Sequence, residues 1–184
     1  MYLVIEGCSG IGKTSIAKYI SENYQLEYFH FPTTSTDIDK HRNKNIRDLL
    51  NPYWGDLYHA SNYDHEKRIY SKLDMMTNID ILKININISI IDNFVYNHAI
   101  NYHDDSLIEK INNMINPLYV ILYSDNINEI LNRSHVCNPI TREKITASNN
   151  KYKTIPSVKK ICVDDKTIEE ITNEILQYYL TYTS

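Results

Sequence analysis

The chain has 184 residues, 42% of them hydrophobic, which suits one globular domain, 1–184, with a single sizeable core. Its formal net charge is -4 and its pI near 6.0, a poor match for duplex nucleic acid, whose binding depends on neutralising many phosphates. Small anionic substrates remain compatible, because a few local cations can define a site on an acidic protein.

Cys8, Cys137 and Cys162 lie far apart without zinc-ligand spacing, which points to a reducing compartment. No apolar run approaches membrane-spanning length, and no leader or lipidation signal is visible at "MYLVIEG". The expectation is a cytoplasmic protein with no membrane partner. The 16 tyrosines accompany abundant Asn, Ile and Lys. These residues share A/T-rich codons, so the tyrosines are not read as an aromatic binding surface.

In chain order, "MYLVIEG" predicts a short strand that ends at a glycine turn, and "KTSIAKYISENY" follows with apolar residues at helical spacing. "LEYFHFP" predicts a second strand, stopped by Pro32. Residues 33–82 are polar and mostly helical in pattern, with a break near "NPYWGD". "ININISIID" alternates over Ile84, Ile86, Ile88 and Ile90, a period-2 strand ending at Asp92. "FVYNHAINYH" and "SLIEKINNMI" predict helices, and "PLYVILYSD" a strand buried on both faces. "INEILNR" is a helix and "SVKKICVDD" the last strand. "TIEEITNEILQYYL" closes the chain as an amphipathic helix, with Thr167 as cap and Ile168, Ile171 and Ile175 inward. Between them "SHVCNPITREKITASNNKYK" is polar and basic without a clear period, and is expected to be a functional loop or lid over about 134–153. Strands alternating with helices predict an α/β doubly wound parallel sheet.

"GCSGIGKT", Gly7 to Thr14, fits GxxxxGK[ST]. In such a loop the glycines let backbone N–H groups turn around phosphates, and the following helix presents its N-terminus to the charge. Gly7, Cys8, Ser9, Gly10, Ile11, Gly12, Lys13, Thr14 and Ser15 are therefore the expected ATP-binding set, with Lys13 on the terminal phosphates. Thr14 and Asp92 would supply oxygens for Mg²⁺. Cys8 sits near cations and a helix N-terminus, a setting expected to lower its pKa. No NKxD or DxxG motif of a GTPase is present, so a small-substrate kinase is expected. The P-loop carries no arginine, so charge on the transferring phosphoryl would be met from the basic stretch, by Arg133, with Arg142 and Lys144 as further candidates.

Beyond the loop the sequence resembles the thymidylate kinases. "FPTTSTDIDK" is similar to their FPxRxTxIGK segment, "IIDNFVYNHAINY" to their DRYxxSxxAY segment, "NEILNR" to the helix leading into the lid, and "CVDDKTIEEI" to their VDAxxxxEEV ending. The resemblance implies a five-stranded parallel sheet of order 2-3-1-4-5, a homodimer, and phosphorylation of a nucleoside monophosphate, dTMP first, by MgATP. It also implies acceptor contacts from Phe31, Arg68, Tyr70, Asn93 and Asn97. Thr34 and Asn93 stand where the family has arginine, and Ser9 where an acidic residue is common. Two alternatives stay open: a deoxynucleoside kinase, and a nucleotide-binding module without catalysis.

Overall fold

The computed structural model of the chain describes residues 1–30, 88–102, 105–133 and 139–183. Five parallel strands, β1 (Tyr2–Gly7), β2 (Glu27–His30), β3 (Ile88–Asp92), β4 (Pro117–Tyr123) and β5 (Lys159–Cys162), form one sheet in the order β2-β3-β1-β4-β5. This is the order that the resemblance implies. Helices connect them: α1 (Lys13–Tyr24), α2 (Val95–Tyr102), α3 (Ile108–Ile115), α4 (Ile127–Arg133) and α5 (Pro139–Thr154), with α6 (Ile168–Thr183) last.

Alternation along the strands divides the core. Leu3, Ile5, Ile90 and Val120 face Ile16, Ala17 and Ile20 of α1 and Ile171 and Ile175 of α6. Val4, Ile91 and Tyr119 face Val95, Ile111 and Ile115 of α2 and α3 on the other side. β3 thus buries both faces, although its isoleucines alternate in the sequence. It lies between β2 and β1, where helices cover the sheet above and below.

Two further expectations change. The stretch read as irregular and basic is a helix, α5, from residue 139 onward, lying against β1, β4, α2 and α4. Its inward residues, Ile145, Asn149 and Tyr152, stand at helical spacing. A buried asparagine among them hides the apolar period. Residues 134–138 of the expected lid lie outside the described residues. At the start of α6, Thr167 and Glu170 form a capping box: the Thr167 N–H donates to Glu170 Oε2 at 2.8 Å and the Glu170 N–H to Thr167 Oγ1 at 3.2 Å. Ile171 and Ile175 point inward as expected, but Ile168 is exposed, because the first residue of the helix overhangs the rim of the core.

Candidate active site at the carboxyl ends of the strands

The turn between β1 and α1 depends on its glycines. Gly7, Gly10 and Gly12 have φ of 151°, 79° and 100°, values that other residues adopt only with strain. At Gly7 space is a second constraint: a Cβ would stand 2.6 Å from the Leu122 carbonyl oxygen of β4. Gly12 caps α1 without a side-chain bond, and the first turn of α1 holds no acidic residue. The N-terminal N–H groups of the helix therefore face the turn with no carboxylate of the helix itself to offset their positive end.

Lys13 is half-buried rather than free in solvent, and its Nζ donates to the carbonyls of Gly7 at 2.9 Å and Cys8 at 2.8 Å. Burial lowers its pKa, while the nearby Glu6, Cys8 and Asp92 act in the opposite direction. Beside it the Thr14 hydroxyl donates to Asp92 Oδ2 at 2.7 Å, across 78 residues of sequence. Asp92, fully buried at the end of β3, also accepts at Oδ1 from the Tyr28 hydroxyl of β2 at 3.2 Å. The next residue, Asn93, takes a left-handed φ of 66° and donates its N–H to the Ile5 carbonyl at 3.0 Å. That bond carries the β1–β3 pairing one step past Asp92 and then turns the chain into α2; Asn is among the residues that tolerate this conformation. An oxygen pair from Thr14 and Asp92 is the donor chemistry that suits Mg²⁺.

Sequence reasoning missed Glu6. It is fully buried, on the opposite face of β1 from Ile5. Its Oε1 accepts from the N–H groups of Phe94 at 3.0 Å and Tyr96 at 2.9 Å, at the start of α2, and its Oε2 from the Tyr152 hydroxyl of α5 at 3.2 Å. Burial pushes the Glu6 carboxyl up to about 7, against the pull of Lys13 and of these hydrogen bonds. Tyr152 is bonded in turn by Asn97, and burial followed by the Glu6 charge raises its phenol pKa well above the ordinary value. Asn97 therefore belongs to an internal chain that ends at Glu6.

Asn149 of α5 was missed as well. Its amide donates to the Ser124 carbonyl at 2.8 Å and accepts the Ser124 N–H at 3.0 Å, which fastens α5 to the end of β4. The Cys8 thiol points to the same oxygen at 3.9 Å. Cys8 is itself buried, and burial raises its pKa despite the nearby Lys13 charge, the reverse of the shift expected from the sequence. On the far side of β4, the Asp164 carboxylate receives the Ser124 hydroxyl and the N–H groups of Asp125 at 2.7 Å and Asn126 at 2.9 Å. Burial pushes its pKa up, but these bonds outweigh that and leave it below the usual carboxylate range.

The structure thus brings together Gly7 to Ser15, Asp92 and Asn93. Arg133 ends α4, and its side chain is outside the described residues, as are Phe31, Arg68 and Tyr70 altogether. Lys144 is exposed on α5.

No protein-family model and no curated protein matches the sequence. Solved structures match in fold over nearly the whole chain. A shikimate kinase from Acinetobacter baumannii in complex with shikimate is 12% identical, with 98% of this chain and 93% of that chain covered and a TM-score of 0.59. The YorR protein from Bacillus subtilis, in complex with phosphorylated GDP, is 14% identical, with coverage of 100% and 98% and a TM-score of 0.61. A deoxyadenosine kinase from M. mycoides, with dCMP and a flexible dCDP bound, is 16% identical, with coverage of 98% and 100% and a TM-score of 0.56. The chain shares its fold with P-loop kinases.

Proposed function

We propose that the protein transfers the γ-phosphoryl group of MgATP to a nucleoside monophosphate, with dTMP the favoured acceptor. The observation that carries the transfer is the Thr14–Asp92 hydrogen bond at the mouth of the glycine turn, beside Lys13. In this reading the N–H groups of residues 10–14 hold the β- and γ-phosphates. Lys13 exchanges its two carbonyl acceptors for anionic phosphate oxygens, which make stronger, charge-assisted bonds. Thr14 and Asp92 hold Mg²⁺, which would supply charge neutralisation at the phosphate oxygens. An acceptor phosphate oxygen attacks the γ-phosphorus, the bond to the β–γ bridging oxygen breaks, and ADP leaves. Catalysis is then positioning and electrostatics, with Arg133 meeting charge on the transferring group.

The state of Asp92 favours a phosphate acceptor over a hydroxyl. Both of its oxygens already accept hydrogen bonds, from Thr14 and Tyr28. A monophosphate oxygen is anionic and needs no base, whereas a 5′-hydroxyl must lose a proton. The choice of dTMP rests on the resemblance to thymidylate kinases. That reading adds acceptor contacts by Phe31, Arg68, Tyr70, Asn93 and Asn97, and a cytoplasmic homodimer. A second reading, a deoxynucleoside kinase, draws support from Asn93, a neutral, buried residue where the thymidylate kinases have arginine. Coupled ADP release with ATP and either dTMP or thymidine separates the two. Turnover with dTMP alone is expected, turnover with thymidine alone supports the second reading, and no turnover with bound ATP indicates a non-catalytic module.

A further inference from the structure

We propose that Tyr28 is a positioning residue that acts through Asp92 to prepare the site for the Mg²⁺ of the nucleotide. The inference rests on the MgATP reading above. Tyr28 stands on the edge strand β2, in register with Ile90 of β3. Asp92 is two residues farther along β3, so the two side chains share the α1 face of the sheet, and the phenol reaches forward to the carboxylate. The result is a carboxylate with a hydroxyl donor on each oxygen, and the Tyr28 hydroxyl also lies within reach of Thr14. Thr14 binds one oxygen from α1, and Tyr28 binds the other from β2.

A buried carboxylate with one oxygen unheld could rotate about its terminal torsion, which is broad and roughly two-fold. A donor on each oxygen removes that freedom and keeps one edge of Asp92 beside Thr14. The phenol is suited to this task. Its hydroxyl has one proton to donate, and that proton is directed at Asp92 Oδ1. The ring packs partly against the α1 cluster, so it also has a purely structural use. The hydroxyl is the part that a packing role does not require.

Tyr28→Phe keeps the ring and removes only that hydroxyl. Calorimetric titration with ATP in EDTA and with MgATP, on wild type and variant, reads the metal-dependent part of binding. The expected result is unchanged affinity for ATP in EDTA, an unchanged melting temperature and a loss of about tenfold in MgATP affinity, the size of one hydrogen bond to a charged group. In an Asp92→Asn background the same substitution should have no further effect on MgATP affinity, because Tyr28 acts through that carboxylate. Equal MgATP affinity in wild type and Tyr28→Phe overturns the proposal while leaving the kinase reading intact. So does a loss that appears equally without Mg²⁺, which marks a packing role. A wild-type protein that binds ATP equally with and without Mg²⁺ overturns the proposal together with the magnesium site.

Discussion

Lys13 and Glu6 lie on either side of Gly7, and each is shaped by what burial does to its charge. Lys13 holds its ammonium on the turn's own carbonyls, so it contributes charge rather than core volume. Lys13→Ala is expected to reduce phosphoryl transfer by on the order of 10² or more, as for other preorganised charge contacts, with little change in melting temperature. Near-normal turnover would remove the P-loop from the mechanism. Glu6 has the opposite profile. Its folded pKa, about 7, stands above the ordinary 4.5, so between these values the folded state binds the proton and the unfolded state does not. Its contribution is therefore fully present below about pH 4.5 and is lost as pH rises to about 7, on the order of 3 kcal/mol in all. Glu6→Gln keeps an acceptor for the Phe94 and Tyr96 N–H groups but cannot ionise. Urea denaturation across pH 4.5–7.5 should show the stability difference between wild type and variant shifting toward the variant as pH rises. A pH-independent difference would mean that Glu6 ionises normally in the fold. Of these residues the glycines, Lys13 and Thr14 could be read from the sequence because one local turn fixes their spacing, and Asp92 because it ends an apolar strand; the partners that Glu6 and Tyr28 find could not. Glu6 meets Tyr152 across 146 residues, and Tyr28 meets Asp92 across 64, distances at which no spacing rule operates.

Elements were legible where a period was clean. β4, a continuous apolar run, and α1, with its apolar spacing after the glycine turn, fall where the sequence places them. α5 was not legible because its anchor is polar. Asn149 satisfies both backbone groups of Ser124 as a neighbouring strand would, so a hydrophilic residue occupies a core position. Removing that amide leaves a buried N–H and a buried C=O without it, so Asn149→Ala should cost about 2–5 kcal/mol in urea denaturation. Asn149→Asp separates shape from hydrogen bonding. It is isosteric, still accepts from the Ser124 N–H, and sets an acceptor against the Ser124 carbonyl. At pH 8 it should be at least as destabilising as the alanine variant, because it also buries charge. If the aspartate variant were as stable as wild type, shape alone would hold α5 in place.

At the scale of the whole molecule, the alternation of strands and helices predicted a doubly wound parallel sheet without side-chain detail, whereas the strand order was implied by the resemblance to thymidylate kinases. The acceptor is not legible that way, since it is recognised by side chains gathered from separate segments. Charge gives a route to it. The chain is net acidic at -4, so a doubly charged monophosphate is repelled overall and must be held by a local cation. Among the residues that the thymidylate-kinase resemblance puts near the acceptor, Arg68 is the cation, whereas Asn93 and Asn97 are neutral. Arg68→Ala should then raise KM for dTMP by the equivalent of about 2–3 kcal/mol, the worth of a charge-assisted contact, and leave thymidine unaffected. Salt supplies an independent reading on the unaltered protein. Raising ionic strength from about 0.05 to about 0.5 M shortens the screening length to a few ångströms. If a partly exposed cation holds the acceptor, KM for dTMP should rise several-fold over that range, while KM for thymidine stays flat. A KM for dTMP that responds neither to salt nor to Arg68→Ala would mean that the acceptor's phosphate is not held by charge at that residue. Joined to efficient turnover of thymidine, that outcome would assign the protein to the deoxynucleoside kinases by activity.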